Sequence, residues 1–349
     1  MSVKASSEAP STPPHLLADL AAWSAHYGAD PLLTQGAGGN TSLKDDGWLW
    51  VKSSGAWLEH AQTKETFVPV PVETILAGFH AGQDRKAEWT APSGRLLRSS
   101  IETSLHAVIP DRWVFHLHTV NSMLWASMED GRLAVEDRLR GLPWAWVRYD
   151  RPGLPLTRAI VEQLGHQPKI LLLENHGLVV SGQTCDEVNE LLAETERRLS
   201  MPARPKALVD RIALAAAAPE RYHLARKLDA HECALDPSAF AAAALGMPAP
   251  DFAVFLGARL VAVRRGHSIA NAAQAYRSEF GLEPAVFLLE GQGALVHDSV
   301  SENGELMLQA LGQMLLRLPV GARLTYLPIQ EIHGLLDWDA EKYRQSLVE

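Results

Sequence analysis

The spacing of apolar residues predicts alternating helices and short strands. Apolar positions from Leu16 to Trp23 recur at helical spacing and predict a helix over residues 15–27. Residues 98–109 show a similar pattern, and Thr184–Glu187 matches a capping box that opens a helix reaching about Leu199. Strands are predicted at Trp48–Val51, Thr66–Val70, Trp113–His118 and Ile170–Leu173, the last of which is apolar throughout and typical of a strand buried on both faces.

An internal repeat accompanies this pattern. Thr157–Val180 aligns without a gap on Ala273–Val296, 116 positions later, and eight of the 24 positions are identical. Leu-Leu-Glu-Asn-His-Gly in the first stretch becomes Leu-Leu-Glu-Gly-Gln-Gly in the second, so Gln292 stands where His176 stands. We interpret this as a duplicated lobe, because repeated units show themselves as self-similarity at a fixed shift. A chance match of two strand–turn–helix patterns is the alternative.

The repeat and the length of 349 residues predict two lobes. We expect a loose tail over 1–14, a first lobe over 15–200, a helical connector over 201–250 and a second lobe over 251–349. In the second lobe, the run Phe252–Leu256 is the expected counterpart of the strand Trp113–His118, and it contains no histidine.

Charge and composition exclude several classes of partner. A net charge of −9 argues against nucleic acid, which needs a basic surface, but leaves room for a small anionic substrate. Two cysteines without a CxxC motif argue against a disulfide framework and favour a reducing cytoplasm. The N-terminal residues lack the apolar core of a signal peptide, and no apolar run is long enough to predict a membrane span.

Three histidines are candidates for a metal site. His116 and His118 are two apart in a predicted strand, so their side chains share one face. His176 follows the buried run Ile170–Leu173, where a strand can fix a polar turn in place. Three imidazoles leave a fourth position open, which is the pattern of catalytic rather than structural zinc. A pair of structural histidines and a turn histidine are the alternatives.

Polar residues elsewhere add further candidates. Glu102 and His106 are four apart in the predicted helix and share a face. Near a metal, Glu102 is a candidate fourth ligand or a base; otherwise it is an exposed helix residue. The small-residue turns Gly36–Ser42 and Lys52–Gly55 offer backbone N–H groups and hydroxyls suited to an anion, although ordinary turns have the same composition.

Taken together, the motifs resemble the class II aldolase/adducin family. Gly-Gly-Asn-Thr-Ser, Lys-Ser-Ser-Gly, Ser-Ile-Glu-Thr-Ser-Leu-His, His-Leu-His and Asn-His-Gly-Leu-Val-Val-Ser-Gly occur in the family's order over about residues 15–200. The likeness is greatest to the aldolase part of bifunctional rhamnulose-phosphate aldolase/short-chain dehydrogenase proteins, without the dehydrogenase half. Arg151–Gly153, Leu288–Gly293, Tyr326–Glu331 and Trp338 extend it over nearly the whole chain.

The resemblance implies an α/β fold: a three-layer α/β/α class II aldolase-like domain with a mostly antiparallel sheet, followed by a degenerate second copy. It implies that Zn²⁺ or another divalent metal is bound, and that Glu102 is the catalytic acid/base. The implied metal ligands are His116, His118 and His176, and the implied substrate- or phosphate-binding residues are Asn40, Lys52, Ser54, Gly55 and Ser100. Ile101 separates the paired serines from Glu102, a departure from the smaller phosphosugar aldolases that puts a phosphorylated substrate in doubt.

The implied activity is reversible retro-aldol cleavage of a ketose, expected as a 1-phosphate of the rhamnulose or fuculose type. The products would be dihydroxyacetone phosphate and an aldehyde, formed through a zinc-stabilised enediolate. A pentulose-phosphate 4-epimerase, a keto-acid phosphate decarboxylase and a non-catalytic adducin-like binding module are the alternatives. The implied partners are a sugar or sugar-phosphate substrate and further copies of the chain, in a dimer or tetramer.

Overall fold

The computed structural model describes residues 3–4 and 13–347. Within this part, the chain forms two compact units. The first contains the residues up to Ser122 together with Val135–Leu199, and the second contains Met123–Ala134 and the chain from Ser200 onwards. Among the described residues, none of the helices combines the length and the apolar character needed to cross a bilayer.

The first part of the chain alternates strands and helices as the apolar pattern predicts. Its strands are β1 (Val3–Lys4), β2 (Asn40–Asp45), β3 (Trp48–Lys52), β4 (Phe67–Pro71), β5 (Ala87–Thr90), β6 (Leu96–Arg98), β7 (Trp113–Leu117), β8 (Trp144–Val147), β9 (Ile170–Leu173) and β10 (Gly177–Gly182). Its helices are α1 (Pro14–Gly28), α2 (Val72–His80), α3 (Thr103–Val108), α4 (Val120–Ser127), α5 (Gly131–Arg138), α6 (Leu154–Val161) and α7 (Cys185–Leu199).

A seven-stranded sheet with the order β4-β3-β2-β7-β10-β9-β8 forms the centre of the first unit. Only the β8–β9 pair is parallel, so the prediction of a mostly antiparallel sheet is confirmed. A second sheet joins β1, β5 and β6. The tail expected over 1–14 lies mainly outside the described residues, although Val3 and Lys4 pair with Ala87 and Glu88.

Helices cover both faces of the large sheet, as the predicted three-layer arrangement requires. Leu105 of α3 and Ile160 of α6 pack with Val114 of β7 in one apolar core. On the other face, Tyr27 of α1 packs edge-on against Phe115. The alternation along β7 therefore directs its even-numbered side chains, including His116, towards α3.

The helix predicted over residues 98–109 is wrong at its start. Arg98 pairs with Glu88 in a strand, and Ser99 forms an isolated bridge with Ser53. The helix begins only at Thr103, and Glu102 occupies its N-cap position. Tertiary strand pairing thus overrides the helical pattern in residues 98–102.

The capping box at α7 is confirmed with one difference. The Glu187 backbone N–H donates to the Thr184 hydroxyl at 3.2 Å, as a capping box requires. The Glu187 carboxylate accepts from the backbone N–H of Gln183 at 2.7 Å, one residue before the N-cap.

The second part of the chain contains a smaller sheet in the order β11-β14-β13-β12. Its strands are β11 (Tyr222–Leu224), β12 (Val261–Val263), β13 (Val286–Leu289) and β14 (Gly293–His297). Its helices are α8 (Arg211–Ala217), α9 (Glu232–Leu235), α10 (Pro237–Ala243), α11 (Pro250–Leu256), α12 (Ile269–Phe280), α13 (Glu302–Arg317), α14 (Ile329–Leu336) and α15 (Asp339–Ser346). Residues expected as a connector, 201–250, lie in the same unit as this sheet and supply β11.

The small sheet repeats half of the large one in the same register. In the first unit β8 pairs parallel to β9 with Ala145 opposite Leu171, and in the second β12 pairs parallel to β13 with Val261 opposite Phe287. Each pair of partners is shifted by 116 residues. The hairpins β9–β10 and β13–β14 match in the same way, since Leu173 faces Gly177 and Leu289 faces Gly293. The register is identical over three strands, as a degenerate second copy predicts.

The predicted counterpart of the histidine strand is wrong. Phe252–Leu256 lies in helix α11 and pairs with no strand. Leu295 of β14, which corresponds to Val179 of β10, faces Leu224 of β11, whereas Val179 faces His116. Strand β11 is therefore the second copy's version of β7, and Leu224 stands where His116 stands.

Candidate metal centre

Three strand ends bring the histidines together in the first unit. His116 lies near the end of β7, His118 follows that strand, and His176 lies in the turn between β9 and β10. All three are buried. Their ring centroids are 4.8 to 5.2 Å apart, and one nitrogen from each ring lies within 4.8 Å of the other two.

The hydrogen bonds of His116 prepare it as a ligand. Its Nδ1 lies 3.0 Å from the carbonyl oxygen of Leu178 and must donate to it, so its Nε2 keeps a lone pair. That Nε2 lies 3.1 Å from Nε2 of His118. Two imidazoles bound to one tetrahedral zinc at ordinary bond lengths have their nitrogens about 3.3 Å apart. The donor set and its spacing therefore fit a divalent metal.

Two glycines allow the strands to approach this closely. A Cβ on Gly177 would lie 2.7 Å from the carbonyl oxygen of Leu117 and 3.1 Å from the ring of His118. Gly39 has a φ of +59°, and a Cβ there would lie 2.7 Å from the carbonyl oxygen of His116. Larger residues at either position would displace the backbone that carries the histidines.

Glu102 lies beside the three histidines. Its Oε1 is 3.4 Å from Nε2 of His176, and its Oε2 is 3.4 Å from Nε2 of His116. Burial raises the pKa of this carboxyl, but electrostatic interactions with His116 and His176 and a hydrogen bond from Asn40 outweigh it and lower the pKa to about 2. Glu102 is therefore an anion facing the centre, not the exposed helix residue of the alternative reading.

Asn40 connects Glu102 to His106. The Asn40 side-chain Nδ2 donates to Oε2 of Glu102 at 2.7 Å, and the Asn40 Oδ1 is hydrogen-bonded to Nε2 of His106. Nδ1 of His106 lies 2.7 Å from the hydroxyl of Ser42. Burial, followed by the charges of His116 and Lys44, holds the pKa of His106 well below its usual value, so the ring is neutral.

Lys52 lies between the two small-residue turns. It is 2% exposed, and its ammonium donates to the carbonyl oxygens of Ala37 at 2.9 Å and Ala56 at 2.6 Å. Ala37 lies in the first turn and Ala56 directly follows the second, so this cation holds the two segments together.

The remaining predicted substrate residues adjoin Lys52. The backbone N–H of Ser100 donates to the Lys52 carbonyl, and that of Ser54 donates to the Arg98 carbonyl. Gly55 has a φ of +79°, which permits the tight turn after Ser54. Ser54 is half-buried, whereas Ser100 is buried and its hydroxyl accepts from the Glu102 backbone N–H.

The nine predicted site residues thus lie in one unit but form two groups. The histidines and Glu102 form one, to which Asn40 belongs through its amide; Lys52, Ser54, Gly55 and Ser100 form the other. Sequence reasoning paired His106 with Glu102 by spacing alone and missed its bond to Asn40, 66 residues away.

The corresponding place in the second unit has no such group. Gln292 and Leu224 stand where His176 and His116 stand. A Cβ on Gly293, which corresponds to Gly177, would meet the side chains of Leu214, His231 and Val209. His231 is thus a single histidine at this place, and its Nδ1 accepts a hydrogen bond from the Ala294 backbone N–H. In the described part of the chain, His116, His118 and His176 form the one cluster of metal-binding side chains of this kind.

These features define a mixed α/β protein with a large, mostly antiparallel central sheet and a buried histidine triad that fits a divalent metal. The profile of the family described as Class II Aldolase and Adducin N-terminal domain matches residues 18–202, more than half of the chain. The chain belongs to this family.

Known proteins with similarity to the chain cover parts of it. It is 30% identical over 176 residues to the "Uncharacterized oxidoreductase YuxG" of Bacillus subtilis (strain 168), a match that covers 46% of this chain and 25% of that protein. The chain thus matches about a quarter of the length of this relative.

Solved structures give similar coverage. The N-terminal class II aldolase domain of a conserved protein from Thermoplasma acidophilum has 21% identity and a TM-score of 0.45, covering 55% of this chain and 96% of that one. An L-fuculose-1-phosphate aldolase from Thermus thermophilus has 20% identity and a TM-score of 0.36, covering 52% and 92%.

Proposed function

We propose that this chain catalyses reversible aldol cleavage of a ketose 1-phosphate, giving dihydroxyacetone phosphate and an aldehyde. The placement of Glu102 carries the proposal. A buried carboxylate with one oxygen held by Asn40 faces three imidazoles that fit a metal, so an acid/base lies next to a Lewis acid site. Membership of the family supports this class of reaction, and three of the similar solved structures bear the name of an L-fuculose-1-phosphate aldolase.

We propose zinc as the metal, with His116, His118 and His176 as its ligands. Bound there, a divalent metal supplies a Lewis acid that stabilises negative charge on substrate oxygens. The protein's own residues do the remaining work. Glu102 accepts the hydroxyl proton released when the carbon–carbon bond breaks and delivers a proton to the carbon that is the nucleophile in the reverse reaction.

We propose that the second group binds the anionic end of the substrate. Lys52 supplies charge, Ser54 and Ser100 supply hydroxyl groups, and Gly55 supplies a backbone N–H. In this proposal Asn40 serves the substrate indirectly, through Glu102, because both ends of its amide are engaged within the protein.

Substrate identity is tested by incubating the zinc-loaded protein with matched pairs of ketose 1-phosphates and unphosphorylated ketoses and identifying products by mass spectrometry. We expect dihydroxyacetone phosphate and an aldehyde from at least one phosphate. Epimerised pentulose phosphate or released carbon dioxide would instead establish one of the alternative reactions. A protein that binds zinc but turns over no compound would favour the adducin-like binding module.

The phosphate-binding group has its own test. Lys52→Met keeps the apolar stem of the side chain and removes the cation. We expect KM for the phosphorylated ketose to rise at least about tenfold, the effect of losing one charge-assisted hydrogen bond, while KM for the unphosphorylated ketose changes little. An equal change for both compounds would contradict the assignment.

The metal ligands are tested by elemental analysis after dialysis. We expect His176→Ala to lose zinc and the matched control His166→Ala, at an exposed histidine of the same unit, to retain one zinc per chain. Full zinc retention by His176→Ala would remove it from the ligand set. The proposal also includes assembly into a dimer or tetramer, which sedimentation velocity would measure.

A further inference from the structure

We infer that His106 is a positioning residue: through Asn40, it fixes Glu102 so that only Oε1 is available to the substrate. The inference rests on the proposed function and extends it by naming the oxygen that moves the proton and the residue that selects it.

The chemistry of the groups sets the direction of the hydrogen-bond chain. The Asn40 Nδ2 donates to Oε2 of Glu102 at 2.7 Å, so the other end of the amide is its oxygen. The Asn40 Oδ1 therefore faces His106 and needs a donor, which places the proton of the neutral ring on Nε2. Nδ1 of His106 is then an acceptor and accepts a hydrogen bond from the Ser42 hydroxyl. Every donor in the chain points towards Glu102.

This direction makes the arrangement rigid. A 180° rotation of the Asn40 amide would place Oδ1 against the Glu102 carboxylate and the amide N–H₂ against the Nε2–H of His106. Both contacts would be repulsive, in a site where His106 is fully buried and no water replaces the lost bonds. Without the His106 donor, only one of the two repulsions remains, and the amide is held less firmly.

The two oxygens of Glu102 thereby become unequal. Oε2 accepts from Asn40, whereas Oε1 is buried and accepts no hydrogen bond from the described residues. Oε1 is also the oxygen near His176. A proton transferred by Glu102 therefore has Oε1 as its acceptor, with the orientation of the carboxylate set by Asn40 and His106.

The kinetic test compares two substitutions at one position. His106→Leu removes the donor, whereas His106→Gln can place an amide N–H where Nε2–H was. We expect His106→Leu to lower kcat about 10- to 100-fold, the usual effect of removing an outer hydrogen-bond partner in a metal site, with KM and zinc content near wild type. We expect His106→Gln to recover most of the loss.

Ser104→Ala is the matched control, because Ser104 is a buried residue of the same helix whose hydroxyl bonds to Thr157 instead. It should keep wild-type kcat. A normal kcat in His106→Leu, an equal loss in His106→Gln, or loss of zinc from His106→Leu would each overturn the positioning role.

A double substitution tests whether His106 acts through Glu102. In a Glu102→Gln background, His106→Leu should cause no further loss of kcat, since the two residues then belong to one chain of interactions. Losses that multiply would show that His106 acts by another route.

A spectroscopic measurement tests the chain without any substrate. In wild-type protein labelled with ¹⁵N-histidine, the resonances absent from His106→Gln belong to His106, and they should show a neutral ring protonated at Nε2. Protonation at Nδ1, or an imidazolium at neutral pH, would overturn the inference even if His106→Leu fails to fold. Should no ketose be cleaved, the proposed function fails, and this measurement still decides whether the chain runs in the inferred direction.

Discussion

Asp111 joins three segments at the end of the sheet remote from the histidines. It precedes β7, is 3% exposed, and its carboxylate accepts from the side chains of Lys169, Ser181 and Gln183. These donors lie just before β9, within β10 and just after β10. Replacing Asp111 with alanine would leave all three donors without their acceptor.

The size of the effect follows from the exposure of each donor. Removing one member of a buried ion pair costs about 3–5 kcal/mol, but the Lys169 side chain is 27% exposed and regains water. The Ser181 hydroxyl and the Gln183 amide each lose a hydrogen bond to a charged group, about 1.5–3 kcal/mol apiece. Partial rehydration of Gln183 reduces the sum, and we expect Asp111→Ala to destabilise the first unit by about 3 kcal/mol.

The assay has to report on one unit, because two compact units can unfold separately and a single midpoint would then mix them. Hydrogen exchange of the β9 and β10 amides, read by mass spectrometry, gives the opening free energy of the first unit. Asp45→Ala is the control, since its partner Arg112 is 39% exposed and such pairs contribute about 0–1 kcal/mol.

Zinc content should be unchanged in Asp111→Ala, because Asp111 precedes β7 whereas His116 lies near the far end of that strand, up to about 16 Å away for five extended residues. A destabilisation below about 1 kcal/mol, or one no larger than that of Asp45→Ala, would refute the role given to Asp111. Loss of zinc from a folded Asp111→Ala variant would refute the claim that Asp111 acts independently of the histidine site.

Three further outcomes are expected. Glu102→Gln should retain zinc and lower kcat about 10²–10⁴-fold; near-normal turnover would assign the proton transfer elsewhere. Burial lowers the pKa of Lys44 to about 7, despite the opposing charge of Asp111. Between pH 7 and the unfolded pKa near 10.5, the unfolded chain binds more protons, so the free energy of unfolding should rise by up to about 1.4 kcal/mol per pH unit. Denaturation curves measured between pH 7.5 and 9 should show this rise in the wild type and not in Lys44→Met. Gln292→His should bind no second zinc in elemental analysis, because Leu224 stands where His116, one of the other two ligands, stands in the first unit; a ratio near two zinc ions per chain would contradict this.

The sequence predicted best where a local pattern decides the structure. Alternation along Trp113–His118 predicted that His116 and His118 share a face, and the apolar run Ile170–Leu173 predicted a buried central strand. Both follow from the period of two in a strand and from burial, which do not depend on distant partners.

Prediction failed where pairing across long distances decides. Residues 98–102 have a helical pattern, yet Arg98 and Ser99 pair with strand partners that no local signal identifies. The bond between Asn40 and His106 arises because β2 pairs with β7, which brings Asn40 opposite His116. The repeat was visible only where identities survive, so the strand Tyr222–Leu224, which has diverged, was not recognised as the copy of β7.

The matching register of β9–β10 and β13–β14 also bears on how the chain folds. The two hairpins are 116 residues apart, so at about 5–20 residues per second of synthesis the first has roughly 6–23 seconds before the second emerges. Hairpins form in microseconds, and β10 can therefore find β7 while no competing strand exists. A denatured full-length chain has no such interval, because β14 is present from the start and can pair in the same register with the strands that pair with β10. The order of synthesis, absent during refolding from denaturant, thus removes a strand exchange that the duplication itself makes possible.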